Sequence, residues 1–430
     1  MRYVSVVIWL LCFVWTLTGQ FPSFVERDSL TLLLMPLLWV IAYQWIVAFR
    51  PDKEVFTPKN VLLFIWLNKL VIVPFELLIW GNQTPQLDTH HQPILREVSV
   101  ILLSFGAFWA GWRQYDRQIP IPSNPVQRLV AWAGTYLGVG LGSLVLLYGS
   151  LSAYWNGAIF TYITRATLDS VGGTVWGLLA NIGQRFWAFG VMLAWIRWHQ
   201  KYPPRHWTWH VPWGLLCAVG VLSSNRANMV YPMLTFGAIV CARWQFRHKW
   251  GLAVGLVGIV LLSFFFGYLR TQPALDTQHV AALFDDYWNS PNHYILYAHQ
   301  LYFGSPYQIT PLLHIPLPSF TLGASVLDPI PLIGKAFREH SGPFVYNMAI
   351  QSGYVAQDKV IPVAGELYFN GGWVLVVLGH WAFGWAYRFL DDAFKTFITT
   401  DLVLAMAFFY VALLFNATLL LSLTVLVQLF

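Results

Sequence analysis

Residues 251–270 read GLAVGLVGIVLLSFFFGYLR, an uncharged apolar run that ends on Arg270. A helix needs about 20 such residues to cross the hydrocarbon core of a bilayer. Beyond Arg270 the hydropathy breaks off, and a semi-polar stretch continues to Val363 before apolar sequence resumes. Candidate spans are read near 3–19, 29–49, 60–80, 97–112, 129–150, 175–196, 211–224, 227–242, 250–268, 364–387 and 401–430. Composition agrees: 57% of the 430 residues are hydrophobic and 10% charged, against about 25% charged in a typical soluble protein. The expectation is an all-α, polytopic integral membrane protein of about 11–12 transmembrane helices with one large extracytoplasmic loop. It divides into membrane helices over 1–269, the loop with short amphipathic helices over 270–363, and C-terminal membrane helices over 364–430.

The run from Tyr3 to Gly19 lacks an A-x-A cleavage pattern and is followed directly by further runs. It reads as a first span and not as a signal peptide. From Asp401 the tail exceeds one upright span, so it is one tilted helix or a hairpin around Asn416. Cys12, Cys217 and Cys241 all fall in apolar runs, which argues against a disulfide framework.

Alternate loops are basic: Arg50/Lys53/Lys59, Arg113/Arg117/Arg128, Arg197/Lys201/Arg205, Arg243/Arg247/Lys249 and Arg388/Lys395. The positive-inside rule places these five loops, and the N-terminus, in the cytoplasm. The loop from Arg270 then lies on the opposite face. The net charge of +6 is thereby accounted for by topology signals, and a nucleic-acid partner is set aside.

Charges inside apolar runs are costly and are functional candidates by default. Lys69 and Glu76 share one face of the third run at helical spacing, with Pro74 between them. They either serve a site, or Lys69 snorkels or pairs with a carboxylate to hold the bundle together. Arg185 cannot shed its proton, so it faces a wet cavity or an ion-pair partner such as Glu76. Arg226, in the turn Ser223-Ser224-Asn225-Arg226, sits beside a helix N-terminus and suits a diphosphate; an interfacial anchor is the plainer alternative.

In the loop, Phe284-Asp285-Asp286-Tyr287-Trp288 and Tyr294 to His299 carry aromatics at helix-like spacing. They read as loop core, and the Asp285–Asp286 pair as a solvated helix start, not a metal site. Further on, Gly334-Lys335-Ala336-Phe337-Arg338-Glu339-His340-Ser341-Gly342 gathers cations, a carboxylate and an imidazole. Imidazole accepts protons near neutral pH and Arg pairs with phosphate oxygens. The same residues also make an ordinary solvated turn.

Four features together resemble the O-antigen and exopolysaccharide repeat-unit polymerases of bacteria (Wzy-type), within the wider GT-C-like group of lipid-donor membrane glycosyltransferases. They are the Ser-Ser-Asn-Arg226 turn, the large late loop, the apolar tail, and the segment Ile361-Pro362-Val363-Ala364-Gly365-Glu366-Leu367-Tyr368-Phe369-Asn370-Gly371-Gly372-Trp373 entering a run with Gly379 and Gly384. The resemblance implies transfer of an undecaprenyl-diphosphate-linked glycan onto another lipid-linked repeat unit at the outer face of the bacterial inner membrane. Arg226, Arg270 and Arg338 would bind the departing diphosphate. His340 would be the base, with Glu366 the second choice and Arg338 beside them in catalysis. Lys69, Glu76 and Arg185 would line the lipid groove. No metal or other cofactor is expected; membrane lipids, a chain-length regulator and a flippase are the expected partners. An O-antigen ligase, acting on lipid A core, shares this plan. A transporter of lipid-linked oligosaccharide would do no bond chemistry and often shows paired inverted repeats, which are not visible here.

Overall fold

A computed structural model of the chain describes residues 51–52, 54, 56–73, 76, 94–116, 119, 136–138, 175–202, 211–212, 214–215, 226–244, 258, 296, 299–300, 303, 321–328, 333–345 and 362–420. Among the described residues every regular element is helical and there is no strand. Helix α1 is Pro58–Leu67 and continues into a π-helical turn, Asn68–Ile72. Then come α2, Ile94–Gln114; α3, Val175–Lys201; and α4, Arg226–Trp244. The short α5, Leu322–Leu327, precedes two 3-10 turns, Gly334–Ala336 and Arg338–His340. Helices α6, Val363–Thr400, and α7, Leu402–Leu420, close the described chain.

Local sequence explains the helix starts. Thr57 caps α1 by accepting a hydrogen bond from the Asn60 amide at 3.2 Å, and Pro58 occupies the first helical position, where its missing N–H costs nothing. Asp401 caps α7 with one carboxylate oxygen that accepts from the amides of Val403 and Leu404 at 2.9 and 3.2 Å.

Sequence reading takes 364–387 as one span entered at Pro362. The structure instead breaks α6 at Gly371 (φ −158°, ψ 22°) and Gly372 (φ 61°, ψ −155°). The positive φ at 372 is open to glycine and strained for other residues. Residues 363–370 therefore fold back along the long arm, residues 373–400. Leu367 packs on Gly379, and Val363, Ala364, Leu367 and Tyr368 cluster with Val376. Pro362 thus lines a pocket together with His380 of the long arm.

The most extensive packing is α6 on α2, then α6 on α7. Gly111 meets the Trp381 carbonyl and Gly384 meets the Phe108 carbonyl, so α2 and α6 approach backbone to backbone, as small residues permit. Around this contact, Trp66, Phe105, Phe108, Trp112 and Tyr387 form one buried core. The Tyr387 hydroxyl donates to the Pro58 carbonyl at 2.8 Å and accepts from the Asn416 amide at 2.7 Å, which ties α1, α6 and α7 together. Asn416, at which sequence reading allows a hairpin, lies inside one continuous helix.

The helix ends that carry basic loops gather at one end of the bundle. Lys59 and Lys395 meet Asp52 there. Trp112, near Arg113, packs under the Arg388 guanidinium. The C-terminal turns of α3 and α4 cluster with Val403 at the start of α7. Among the described residues one helix segment, Leu402–Leu419, is long and apolar enough to cross a membrane.

Candidate functional site

At the basic end, Asp52, Lys59, Asp391 and Lys395 form one set of charge pairs. The Lys395 ammonium lies 2.7 Å from Asp391 and 2.7 Å from Asp52. Lys59 lies 3.6 Å from Asp52, and its amide donates to Asp391 at 3.1 Å. Burial raises the Asp391 carboxyl against the opposing pull of Lys395. Burial also acts to raise Asp52, but the Lys395 and Lys59 ammoniums outweigh it and hold the group below 3.8. For Lys395, burial is outweighed by Asp391 and Asp52, and the ammonium is held above 10.5. Such a closed set of pairs is structural. Its i,i+4 Asp391–Lys395 spacing is readable from sequence; the partner Asp52 is not.

The other face of the bundle is built differently. The carboxylate of Glu366, fully buried on the short arm of α6, packs against Gly342. A β-carbon at 342 would sit 2.7 Å from Glu366 Oε1 and 3.0 Å from Ser325 Oγ, so only glycine fits without displacing them. The Gly342 amide donates to Ser325 Oγ at 2.7 Å. One turn along, Asn370 donates to Thr321 Oγ1 at 3.1 Å and to the Glu366 carbonyl at 2.8 Å, and its own oxygen accepts from the Leu322 amide at 2.9 Å. These bonds fasten α5 and the following turns onto the short arm.

The turn that ends at Gly342 carries Arg338 and His340, both exposed. Arg338 Nε lies 3.3 Å from Asp328 Oδ1, and the Ser341 hydroxyl donates to the Arg338 carbonyl at 2.8 Å. The structure thus brings Glu366 together with the turn bearing Arg338 and His340. This arrangement offers an accessible imidazole and guanidinium above a buried carboxylate. Among the described residues, no cluster of three or more His, Cys, Asp or Glu side chains is placed to hold a metal ion.

The remaining sequence candidates are placed as follows. Arg226 opens α4, which runs antiparallel to α7, so its backbone points away from the ion cluster. Arg185 lies within α3. Arg270 and the Asp285–Asp286 pair lie outside the described residues.

Lys69 and Glu76 take different partners. The wide π-helical turn at 68–72 departs from the 3.6-residue register that sequence reading assumes. Lys69 Nζ donates to the Leu419 carbonyl at 2.8 Å and lies over the Trp66 ring. Glu76 instead takes His299, Nδ1 to Oε2 at 2.9 Å. His299 Nε2 lies 2.8 Å from Asn68 Oδ1, and Asn68 Nδ2 donates to the Phe64 carbonyl at 2.7 Å. With the amide so oriented, both His299 nitrogens face acceptors. Sequence reading takes the aromatic stretch around His299 as loop core; in the structure this residue meets Glu76 and Asn68.

No protein-family model, curated protein or solved structure matches this chain.

Proposed function

We propose that the chain is a polytopic membrane glycosyltransferase that polymerises undecaprenyl-diphosphate-linked oligosaccharide repeat units at the outer face of a bacterial inner membrane. The observation that carries this reading is the meeting of Glu366 with the Arg338–His340 turn, away from the end where the basic loops gather. The membrane setting draws support from composition and from apolar side chains facing outward. Val374 is 69% exposed, Phe64 58% and Leu378 55%, a surface that lipid would cover at no cost.

In the proposed step, the hydroxyl of the acceptor sugar attacks the anomeric carbon of the donor glycan. A carbon–oxygen bond forms there, and the bond to the diphosphate breaks. The electron pair leaves with the diphosphate, and the hydroxyl proton passes to His340. Arg338 neutralises the growing charge on the diphosphate, with Arg226 and Arg270 as further cations for it. Catalysis of this kind rests on cations aimed where charge develops and on a positioned base. Glu366, buried beneath the turn, acts as a positioning residue that fixes the Gly342 backbone and so the place of His340.

Deleting the gene and resolving surface polysaccharide by length on a gel tests the reading. Loss of polymerase should leave single-repeat structures. Accumulated lipid-linked long chains would point to a ligase, loss of every surface glycan to a transporter, and normal long chains would overturn the proposal. A strain carrying His340→Ala at unchanged protein level should match the deletion.

A further inference from the structure

The segment that carries His299 is seated on the bundle by its side chains. Gln300 is fully buried, and Phe303 packs against the core around Trp66, Phe105 and Tyr387. Beside them His299 pairs with Glu76, just past the π-helical turn that follows α1. Its ring lies 4.8 Å from that of Phe303.

The geometry fixes how many protons this pair holds. Asn68 gives Nδ2 to the Phe64 carbonyl, so its oxygen is left for His299 Nε2, which needs a hydrogen to approach it at 2.8 Å. Nδ1 stands 2.9 Å from Glu76 Oε2. A neutral ring with its hydrogen on Nε2 would turn the bare lone pair of Nδ1 on the carboxylate, and the two would repel. A second proton therefore lies between them. Imidazole is a stronger base than a carboxylate by about two pKa units in model peptides, so the ring carries that proton. The imidazolium then donates to Glu76 on one side and to Asn68 on the other.

The surroundings leave Glu76 as the charged group that meets the ring. Lys69, beside Asn68, gives its ammonium to the Leu419 carbonyl and the Trp66 ring, and α7 carries no charged side chain. On α2 and α6, Arg113 lies over Trp109, Arg388 meets Asp392 and Glu366 packs on Gly342. The His299 and Glu76 side chains are 18% and 11% exposed, enough for water to bring and remove a proton.

We propose that His299 and Glu76, with Asn68, form a proton-binding site whose bound proton fastens His299, Gln300 and Phe303 to the bundle. When the proton leaves, Nδ1 and the carboxylate face each other lone pair to lone pair, and the fastening opens. Stability from such a group is present while the ring is protonated and is lost as pH rises. In the membrane reading above the proton comes from the outer face, but the site does not depend on that reading, and its test reads no transfer.

Ala298–His299 is the one Ala-His sequence in the chain. The full-length protein in detergent, labelled at the alanine carbonyl and throughout histidine, therefore reports this ring alone by magnetic resonance. At neutral pH both ring nitrogens should carry a proton in the wild type. Glu76→Gln should lose one of the two, because its amide can donate to Nδ1. A bare nitrogen in the wild type, or a doubly protonated ring that persists in Glu76→Gln, overturns the proposal. Thermal midpoints give a second readout: the advantage of the wild type over Glu76→Gln should shrink as pH rises, and a constant gap overturns the fastening role. If Glu76→Gln does not fold, His299→Gln replaces it in the melts and the wild-type ring decides the protonation.

Discussion

The two ends of this bundle use ionisable side chains to different effect. At the basic end, Asp52, Lys59, Asp391 and Lys395 close on one another. Near the short arm of α6, Glu366 is buried against a glycine while Arg338 and His340 face outward. The contrast separates charge used as a fastener from charge held ready. Changes at the first end should cost stability and spare the chemistry of whatever protein folds; changes at the second should do the reverse.

The largest loss of stability is expected from Lys395→Met. It strands the buried Asp391 carboxylate, and removing one partner of a buried pair costs about 3–5 kcal/mol. Folded yield and thermal midpoint in detergent measure it; polymer length per folded molecule should hold. A variant that melts normally would dissolve the idea of a fastener. Tyr387→Phe comes next. It leaves the Pro58 carbonyl and the Asn416 amide without their shared hydroxyl, at about 1–3 kcal/mol, read in the same melt.

Acid should loosen the same end in two opposed steps. Asp391 is raised by burial, so its protonation as pH falls relieves a buried charge. Asp52 is held below 3.8 by its ammonium partners; its contribution is complete above 3.8 and is lost as pH falls through its lowered value. A thermal midpoint recorded against pH should therefore drop at the acid end in the wild type, and the drop should be absent in Asp52→Asn.

At the other end, Gly342→Ala drives a methyl group against Glu366 Oε1. Overpacking of that kind costs about 1–3 kcal/mol, yet polymer should shorten to single repeats, because the turn bearing His340 shifts. Smallest in stability is Arg338→Ala. Its side chain is 54% exposed, and an exposed pair contributes about 0–1 kcal/mol. Polymer length should nonetheless collapse; a full-length ladder from this variant would mean that the exposed cations of this turn are only solvated.

Much of the helical plan is legible in the hydropathy. The runs read near 97–112, 175–196 and 227–242 appear as α2, α3 and α4 with ends shifted by a few residues, since an unbroken apolar run has few alternatives to a helix. The reversal at Gly371–Gly372 is not legible that way. A hydropathy window averages across two adjacent residues, although a Gly-Gly pair is itself a turn signal. The candidate site was legible in part: Glu366, Arg338 and His340 stand out by residue type, and their meeting depends on a fold-back that no periodicity announces. Ser104, Trp66 and His380 are not legible because a single polar atom in an apolar run looks like core, and His299 reads only as part of an aromatic loop core. Only tertiary placement shows which of them face one another.

The fold-back also bears on how such a chain is made. Eight helical residues measure about 12 Å, well short of a hydrocarbon core of about 30 Å, so the short arm is too short to span a bilayer alone. In the membrane reading proposed above, it would enter only together with the segment that follows it. Glu366 would then reach its place among the last events of synthesis, and a chain released early would hold most of its helices and no assembled centre.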